Sequence, residues 1–94
     1  MMNDQYYANG QKVFKQQRNL RTYFFKTGDL RAIGKFINGY MEGKWVFNRN
    51  TGDLWQIGHF LHNNKHGEWI RYDKTGKVEY HVEFVEGKLI KKIK

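Results

Sequence analysis

His59, His62 and His66 fall close together in the chain, and imidazoles so spaced invite a metal-site reading. A structural zinc site needs four ligands, however, and neither a cysteine nor a nearby carboxylate completes this set. His62 and His66 also stand where Asn38 and Glu42 stand one repeat earlier, so they are expected to be solvated turn residues. Asp29 and Asp53 occupy equivalent positions, which could suggest paired carboxylates for acid–base work. Lys77 takes that position in the next unit, and cross-strand ion pairing is the better expectation for the two aspartates. No nucleophile, base and orienting group can be assembled, and no glycine-rich loop opens a helix to cradle phosphate. The chain is therefore expected to bind rather than to catalyse, with no cofactor and no metal.

Composition narrows what it could bind. The 94 residues carry 17 Lys and Arg against 9 Asp and Glu, a formal charge of +8, so partners of negative charge are favoured: an acidic protein, anionic lipid or nucleic acid. Hydrophobic residues make up 39% and aromatic residues 17%, enough for a small core, and no apolar run nears the roughly 18 residues of a membrane-spanning helix. The first residues, Met1 to Tyr7, lack a basic region followed by an apolar stretch. With the absence of cysteine, this leads to an expectation of cytoplasmic residence.

The elements that would position a binding surface come from self-comparison. Thr27-Gly28-Asp29-Leu30 returns as Thr51-Gly52-Asp53-Leu54 and, more loosely, as Thr75-Gly76-Lys77-Val78, a period of 24 residues. The same step relates Gly43 to Gly67, Trp45 to Trp69, Ile33 to Ile57, Gly34 to Gly58, and Phe36 to Phe60 and Phe84. Such a period marks stacked supersecondary units that bury apolar surface only against one another. Alternating β-branched, aromatic and polar residues, punctuated by turn residues, make each unit a β-hairpin. The expected fold is all-β: an elongated, twisted antiparallel meander of about three hairpin repeats (19–42, 43–66, 67–90) ending in a basic strand. Residues 1–18 form a degenerate N-terminal hairpin or cap, and the whole is one domain.

Turn chemistry predicts the register. Asp73-Lys74-Thr75-Gly76 reads as a type I turn with Gly76 left-handed in a bulge, and Gly28 and Gly52 repeat it. Continuing from that turn pairs Tyr72 with Val78, Arg71 with Glu79 and Trp69 with His81; the middle unit pairs Arg49 with Asp53, Phe47 with Trp55 and Trp45 with Ile57. The opposite turns, around Asn38, His62 and Glu86, look looser. In this register one face carries Phe24, Leu30, Phe36, Val46, Leu54, Phe60, Ile70, Tyr72, Val78, Tyr80, Val82 and Phe84 as the core stripe. The other sets Tyr23, Trp45, Phe47, Trp55 and Trp69 among Arg21, Arg31, Lys35, His59, Arg71 and His81. From it come the expected partner-binding residues: Arg21, Tyr23, Arg31, Trp45, Phe47, Trp55, Trp69, Arg71 and His81. Rings among cations stack on bases, hold lipid headgroups or anchor a protein. The competing reading is that these rings cover the second side of a thin sheet, with Arg and Lys stems laid over them.

Gly43-Lys44-Trp45 with Thr51-Gly52-Asp53-Leu54 and Phe60, repeated as Gly67-Glu68-Trp69 with Thr75-Gly76-Lys77-Val78 and Phe84, resembles the bacterial variant of the MORN repeat, found in the YwqK-type antitoxins. The first unit departs from the pattern with Asn19 and Arg21 at the glycine and tryptophan positions, and Asn48 stands where Tyr72 stands later. The resemblance implies a meander that binds other molecules: an antitoxin, immunity or inhibitor role toward a protein, with phospholipid binding and self-association as further family associations. The expected function is thus neutralising or scaffolding an acidic protein partner. Peripheral binding to anionic membrane and single-stranded nucleic-acid binding are the alternatives, and a homodimer through a sheet face or edge is a further possibility. The C-terminal Lys88-Leu89-Ile90-Lys91-Lys92-Ile93-Lys94 is expected to be an edge strand whose lysines oppose aggregation.

Overall fold

Glycine sets one row of corners in this chain. Gly28, Gly52 and Gly76 have φ of 92°, 94° and 88°, a region only glycine enters cheaply. At each corner the amide just before the central pair and the glycine amide close the turn: Asp73 N–H donates to the Lys77 carbonyl (2.8 Å) and Gly76 N–H to the Asp73 carbonyl (3.0 Å). Arg49 with Gly52, and Phe25 with Gly28, repeat this pattern, and so do Tyr7 and Gly10 near the N-terminus. In the stretch expected as an N-terminal cap, an isolated bridge joins Tyr6 and Lys12 across that last turn. The computed structural model describes residues 5–94, so the first four residues of that cap, and the start of the expected leaderless N-terminus, lie outside the described residues.

Among the described residues, nine strands form one antiparallel sheet: β1 (Phe14–Gln17), β2 (Leu20–Phe24), β3 (Leu30–Ile37), β4 (Tyr40–Asn48), β5 (Leu54–Leu61), β6 (Asn64–Lys65), β7 (Gly67–Tyr72), β8 (Val78–Val85) and β9 (Lys88–Lys92). Their spatial order follows the chain, with the short β6 pairing beside β7 onto β5. The fold is the expected all-β meander, a sheet measuring 41 × 33 × 18 Å.

The register departs from expectation one residue beyond each glycine corner. Tyr72 does pair with Val78, but Arg71 then pairs with Tyr80 and Trp69 with Val82. In the middle unit Asn48 pairs with Leu54, Phe47 with Gln56 and Trp45 with Gly58. In the first, Phe24 pairs with Leu30 and Tyr23 with Ala32. Arg31, Trp55 and Glu79 are thus extra residues, each a bulge on the strand leaving the corner. Because side chains alternate with a period of two, one inserted residue reverses which neighbours share a face. The expected partners Arg71–Glu79, Trp69–His81, Phe47–Trp55 and Trp45–Ile57 are therefore corrected.

The expected ion pairs are corrected with them. Asp53 accepts from the Thr51 hydroxyl (3.1 Å) and Asp29 from Thr27 (3.0 Å), while Arg49 donates to the Tyr72 carbonyl (3.0 Å). A carboxylate one position past the turn glycine has a hydroxyl within the same turn, closer than any cross-strand cation. Arg71 donates to Gln56 Oε1 through Nε (3.2 Å) and Nη2 (3.1 Å) rather than meeting Glu79.

The turns at the opposite end are tight, not loose. Asn38-Gly39, His62-Asn63 and Glu86-Gly87 all have positive φ at both positions and join directly paired residues, the geometry of a two-residue type I′ hairpin turn. The extra residues that made them look long sit inside the strands. Gly43 and Lys44 lie between the pairs Gly34–Trp45 and Lys35–Glu42, and one period later Gly67 and Glu68 follow His66, whose amide donates to the His59 carbonyl (2.9 Å). A two-residue insertion leaves the faces unchanged.

Asp73 shows how one corner is held. Its carboxylate accepts from the Thr75 hydroxyl (2.6 Å) and from the amides of Thr75 (2.9 Å) and Lys77 (3.0 Å). The Thr75 hydroxyl, then the Lys77 amide, hold its pKa below the ordinary aspartate value. A depressed carboxylate stabilises the fold above its unfolded-state pKa of about 3.9, and the contribution is lost as pH falls through the folded value. Asp73→Ala should therefore lower the thermal midpoint near neutral pH. In melts followed by circular dichroism the difference from wild type should shrink as the pH is lowered below about 3.9.

Candidate functional site

Trp45 and Trp69 organise the more buried face. The Trp45 ring lies against Gly34 on the neighbouring strand and Trp69 lies against Gly58, so closely that a Cβ on Gly58 would stand 2.5 Å from the Trp69 ring. Each indole N–H reaches over the strand: Trp45 Nε1 donates to the Lys35 carbonyl and Trp69 Nε1 to the His59 carbonyl, both at 2.9 Å. Phe60 is wedged edge-on between the two indoles, with centroids 6.3 and 5.1 Å away, and Phe84 meets Trp69 the same way. Phe47 bridges the indoles from the other side at 6.3 and 6.1 Å. Tyr23 and Phe14 continue the ladder.

The partner-binding residues expected from sequence are thus mostly brought to one face, but as packing. Trp45 is 0% and Trp69 4% exposed. Arg21 takes the tryptophan position of the first unit, its guanidinium 3.7 Å from the Phe36 centroid and 4.1 Å from that of Phe14. A planar cation therefore replaces a planar indole on the equivalent phenylalanine. Arg71 lies over Trp55 (5.1 Å) and Tyr80 (5.2 Å), and Lys65 Nζ over Trp69 (4.7 Å). Tyr23 and Phe47 are half-buried, and Arg31 is exposed at its bulge, 5.8 Å from the Phe25 ring. The long stems of Arg21, Lys65 and Arg71 cover the rings and seal this face.

The face assignment made from sequence is corrected accordingly. Phe36, Phe60, Tyr80, Val82 and Phe84 join the tryptophans, whereas Phe24, Leu30, Val46, Leu54, Ile70, Tyr72 and Val78 stand on the opposite side, together with Lys35, His59 and His81. The buried residues among those described sit on the tryptophan face, Thr22 excepted.

What remains accessible is different from what was expected. On the opposite face Ile33, Val46, Ile57 and Ile70 are register partners in one half-buried row. Beside it Lys35 pairs with Glu42, Lys44 with His59, and Glu68 with Glu83, which pairs in turn with Lys91. His81 Nε2 meets Glu68 Oε2 at 3.1 Å. Sequence reasoning missed this face because the bulges at Arg31, Trp55 and Glu79 were not foreseen; the repeated Ile33–Ile57 pair was its available signal.

The three clustered histidines are engaged separately. His59 Nδ1 lies 3.0 Å from the Glu68 carbonyl. His62 stacks on Tyr40 (4.9 Å), and its amide and Nδ1 both meet the Glu42 carboxylate. Those bonds, the His62 amide first, hold the Glu42 pKa below its usual value. His66 stands one repeat after Glu42 and serves the same purpose, its Nδ1 accepting the Glu86 amide (3.2 Å). Each thus braces the first residue of the following hairpin turn. Among the described residues no group of three His, Cys, Asp or Glu is placed to hold a metal.

A hollow of about 400 Å³ lies beside this brace, lined by Lys35, Ile37, Tyr40, Glu42 and His62 among others. At the end of the sheet, β9 pairs on one side only among the described residues, with β8. Leu89, Ile90 and Ile93 there are 54%, 56% and 47% exposed.

No curated protein and no solved structure gives a significant match to the chain. Residues 65–86, the stretch in which Trp69 lies against Gly58 and beneath Lys65, match the family described as the MORN repeat variant.

Proposed function

We propose that this chain is a non-catalytic binding protein that holds an acidic protein partner by strand addition at β9, and by holding it neutralises or scaffolds it. The observation supporting this reading is the open edge of β9, where exposed Leu89 and Ile90 sit among Lys88, Lys91 and Lys92. An edge strand presents unpaired N–H and C=O groups as a template for another strand. Lysines along the edge repel a second basic edge and steer an acidic one. An antitoxin or immunity factor is the finer form of this reading: adding a strand to a toxin would block the toxin without any chemistry by the inhibitor.

The test is affinity capture from the source cell with the intact chain and with Lys88→Glu, Lys91→Glu and Lys92→Glu combined. These side chains are exposed, so the variant should keep the wild-type circular dichroism. Wild type should retain an acidic protein, and the variant should lose it by about 10-fold or more. Capture that survives charge reversal would refute the edge as the contact. Sedimentation with phosphatidylserine vesicles, or a salt-sensitive shift of single-stranded RNA, in place of protein capture would move the function to lipid or nucleic acid.

A further inference from the structure

We propose that Asn38 and Gly39 form a self-modifying site, at which the turn between β3 and β4 expels the Asn38 side-chain nitrogen as ammonia and becomes a mixture of aspartate and isoaspartate. The reaction needs only water. The Gly39 amide nitrogen, having lost its proton to hydroxide, attacks Cγ of Asn38. A C–N bond forms, the Cγ–Nδ2 bond breaks, and ammonia leaves with a proton taken from water. Water then opens the five-membered succinimide at one of its two carbonyls. Cleavage at Cγ gives aspartate in an ordinary chain, whereas cleavage at the main-chain carbonyl gives isoaspartate, whose backbone runs through Cβ and Cγ.

Two Asn-Gly sequences occur, Asn9-Gly10 and Asn38-Gly39, and both are exposed, so neither residue type nor exposure separates them. In each the glycine, having no Cβ, obstructs ring closure least. Hydrogen bonding separates them. Asn9 Oδ1 accepts the Gln11 amide (3.0 Å), its Nδ2 donates to the Lys26 carbonyl (2.9 Å), and Gly10 N–H donates to the Tyr7 carbonyl (2.9 Å). Both the group to be attacked and the attacking nitrogen are tied. Among the described residues, neither the Asn38 side chain nor Gly39 N–H has a hydrogen-bond partner, and a Cβ on Gly39 would meet no atom within 4 Å. Asn63, in the next turn of the same row, is held as Asn9 is: its Oδ1 accepts the Met41 amide (2.7 Å).

The two products differ in what they do to the turn. Asn38 and Gly39, at φ of 52° and 86°, join the directly paired Ile37 and Tyr40. Aspartate, like asparagine, enters the left-handed region, so it fits. Isoaspartate adds a backbone atom that a two-residue turn cannot take up, so the Ile37–Tyr40 pair opens and the Tyr40 ring leaves its stack on His62 (4.9 Å). Either product brings a carboxylate to the hollow lined by Lys35, Tyr40 and Glu42. The site is separate from the β9 edge, which lies at the far end of the strand order.

The test is incubation of the folded chain at mildly alkaline pH, followed by peptide mapping in a mass spectrometer with electron-transfer fragmentation to distinguish isoaspartate. Asn38 should convert about 10-fold or more faster than Asn9, because three hydrogen bonds must open before Asn9 can react. In concentrated urea, where those bonds are gone, the two rates should converge. Aged protein should contain a fraction that melts below fresh protein, whereas Asn38→Asp made directly should melt close to wild type. Asn38→Gly keeps a sequence suited to the turn and should give no such fraction. The inference would be overturned by Asn9 converting as fast as Asn38 in the folded chain. Retention of the Asn38 amide while the unfolded chain loses both, or a low-melting fraction that also appears in aged Asn38→Gly, would overturn it equally.

Discussion

Gly58→Ala is expected to cost about 2–3 kcal/mol, as much as an overpacked core site. The reason is contact, not backbone conformation: Gly58 has no positive φ, but its Cβ would lie 2.5 Å from three atoms of the Trp69 ring. The ring cannot retreat without giving up its Nε1 bond to the His59 carbonyl and its edge contacts with Phe60 and Phe84. For a chain of this length, each kcal/mol moves the thermal midpoint by about 4–8 °C, so a fall of about 10–20 °C should appear in a calorimetric scan. Gly52→Ala is the informative comparison. At Gly52 no atom lies within 4 Å of the added methyl, and only the left-handed φ of 94° opposes it, at about 1–2 kcal/mol. If the two variants melt together, close packing of tryptophan on glycine is not what holds the units.

The contact itself predicts a compensating pair, since a smaller side chain in place of the Trp69 ring leaves room for a side chain at Gly58. Gly58→Val combined with Trp69→Ile should therefore be more stable than the sum of the single changes predicts, by about 1 kcal/mol or more in denaturant titrations. Strict additivity would mean that the two positions are not coupled.

Trp69→Ala should be the most damaging single truncation, at about 3–5 kcal/mol against a total stability of about 5–15 kcal/mol for a small domain. It removes a ring that touches Phe47, Phe60 and Phe84, lies under Lys65, and bonds to the neighbouring strand. A midpoint in urea close to wild type would refute the central place given to this indole. The size of the effect also governs how binding is probed. A Trp69→Ala protein that loses a partner reports a lost fold, whereas exchanges at exposed Lys88, Lys91 and Lys92 report a lost contact.

Much of the fold was legible because it rests on local chemistry. Gly28, Gly52 and Gly76 announce left-handed corners, and the hydrogen bonds that close them involve only residues within each turn. The 24-residue period foretold the meander order, since every unit packs chiefly on the units beside it. The candidate surface was not legible in the same way. Arg31, Trp55 and Glu79 differ in every property that marks a side chain for one face, so nothing in their chemistry announced a bulge, yet each bulge reversed the faces beyond it. Trp45 and Trp69 were equally ambiguous, because an indole suits a binding site and a core alike; their burial follows from Gly34 and Gly58 lying directly across the strand.

The sequence by itself thus determined that the chain is an all-β array of hairpins with glycine corners, a basic terminal strand and a tryptophan in each of two successive units. Tertiary structure alone decided that the tryptophans face inward, that Arg21 stands in for a third, and that a row of isoleucines faces outward. The division has one physical cause. Corners and periods are set by interactions a few residues long, whereas the face a strand presents depends on counting every inserted residue, and a single bulge changes the parity of that count.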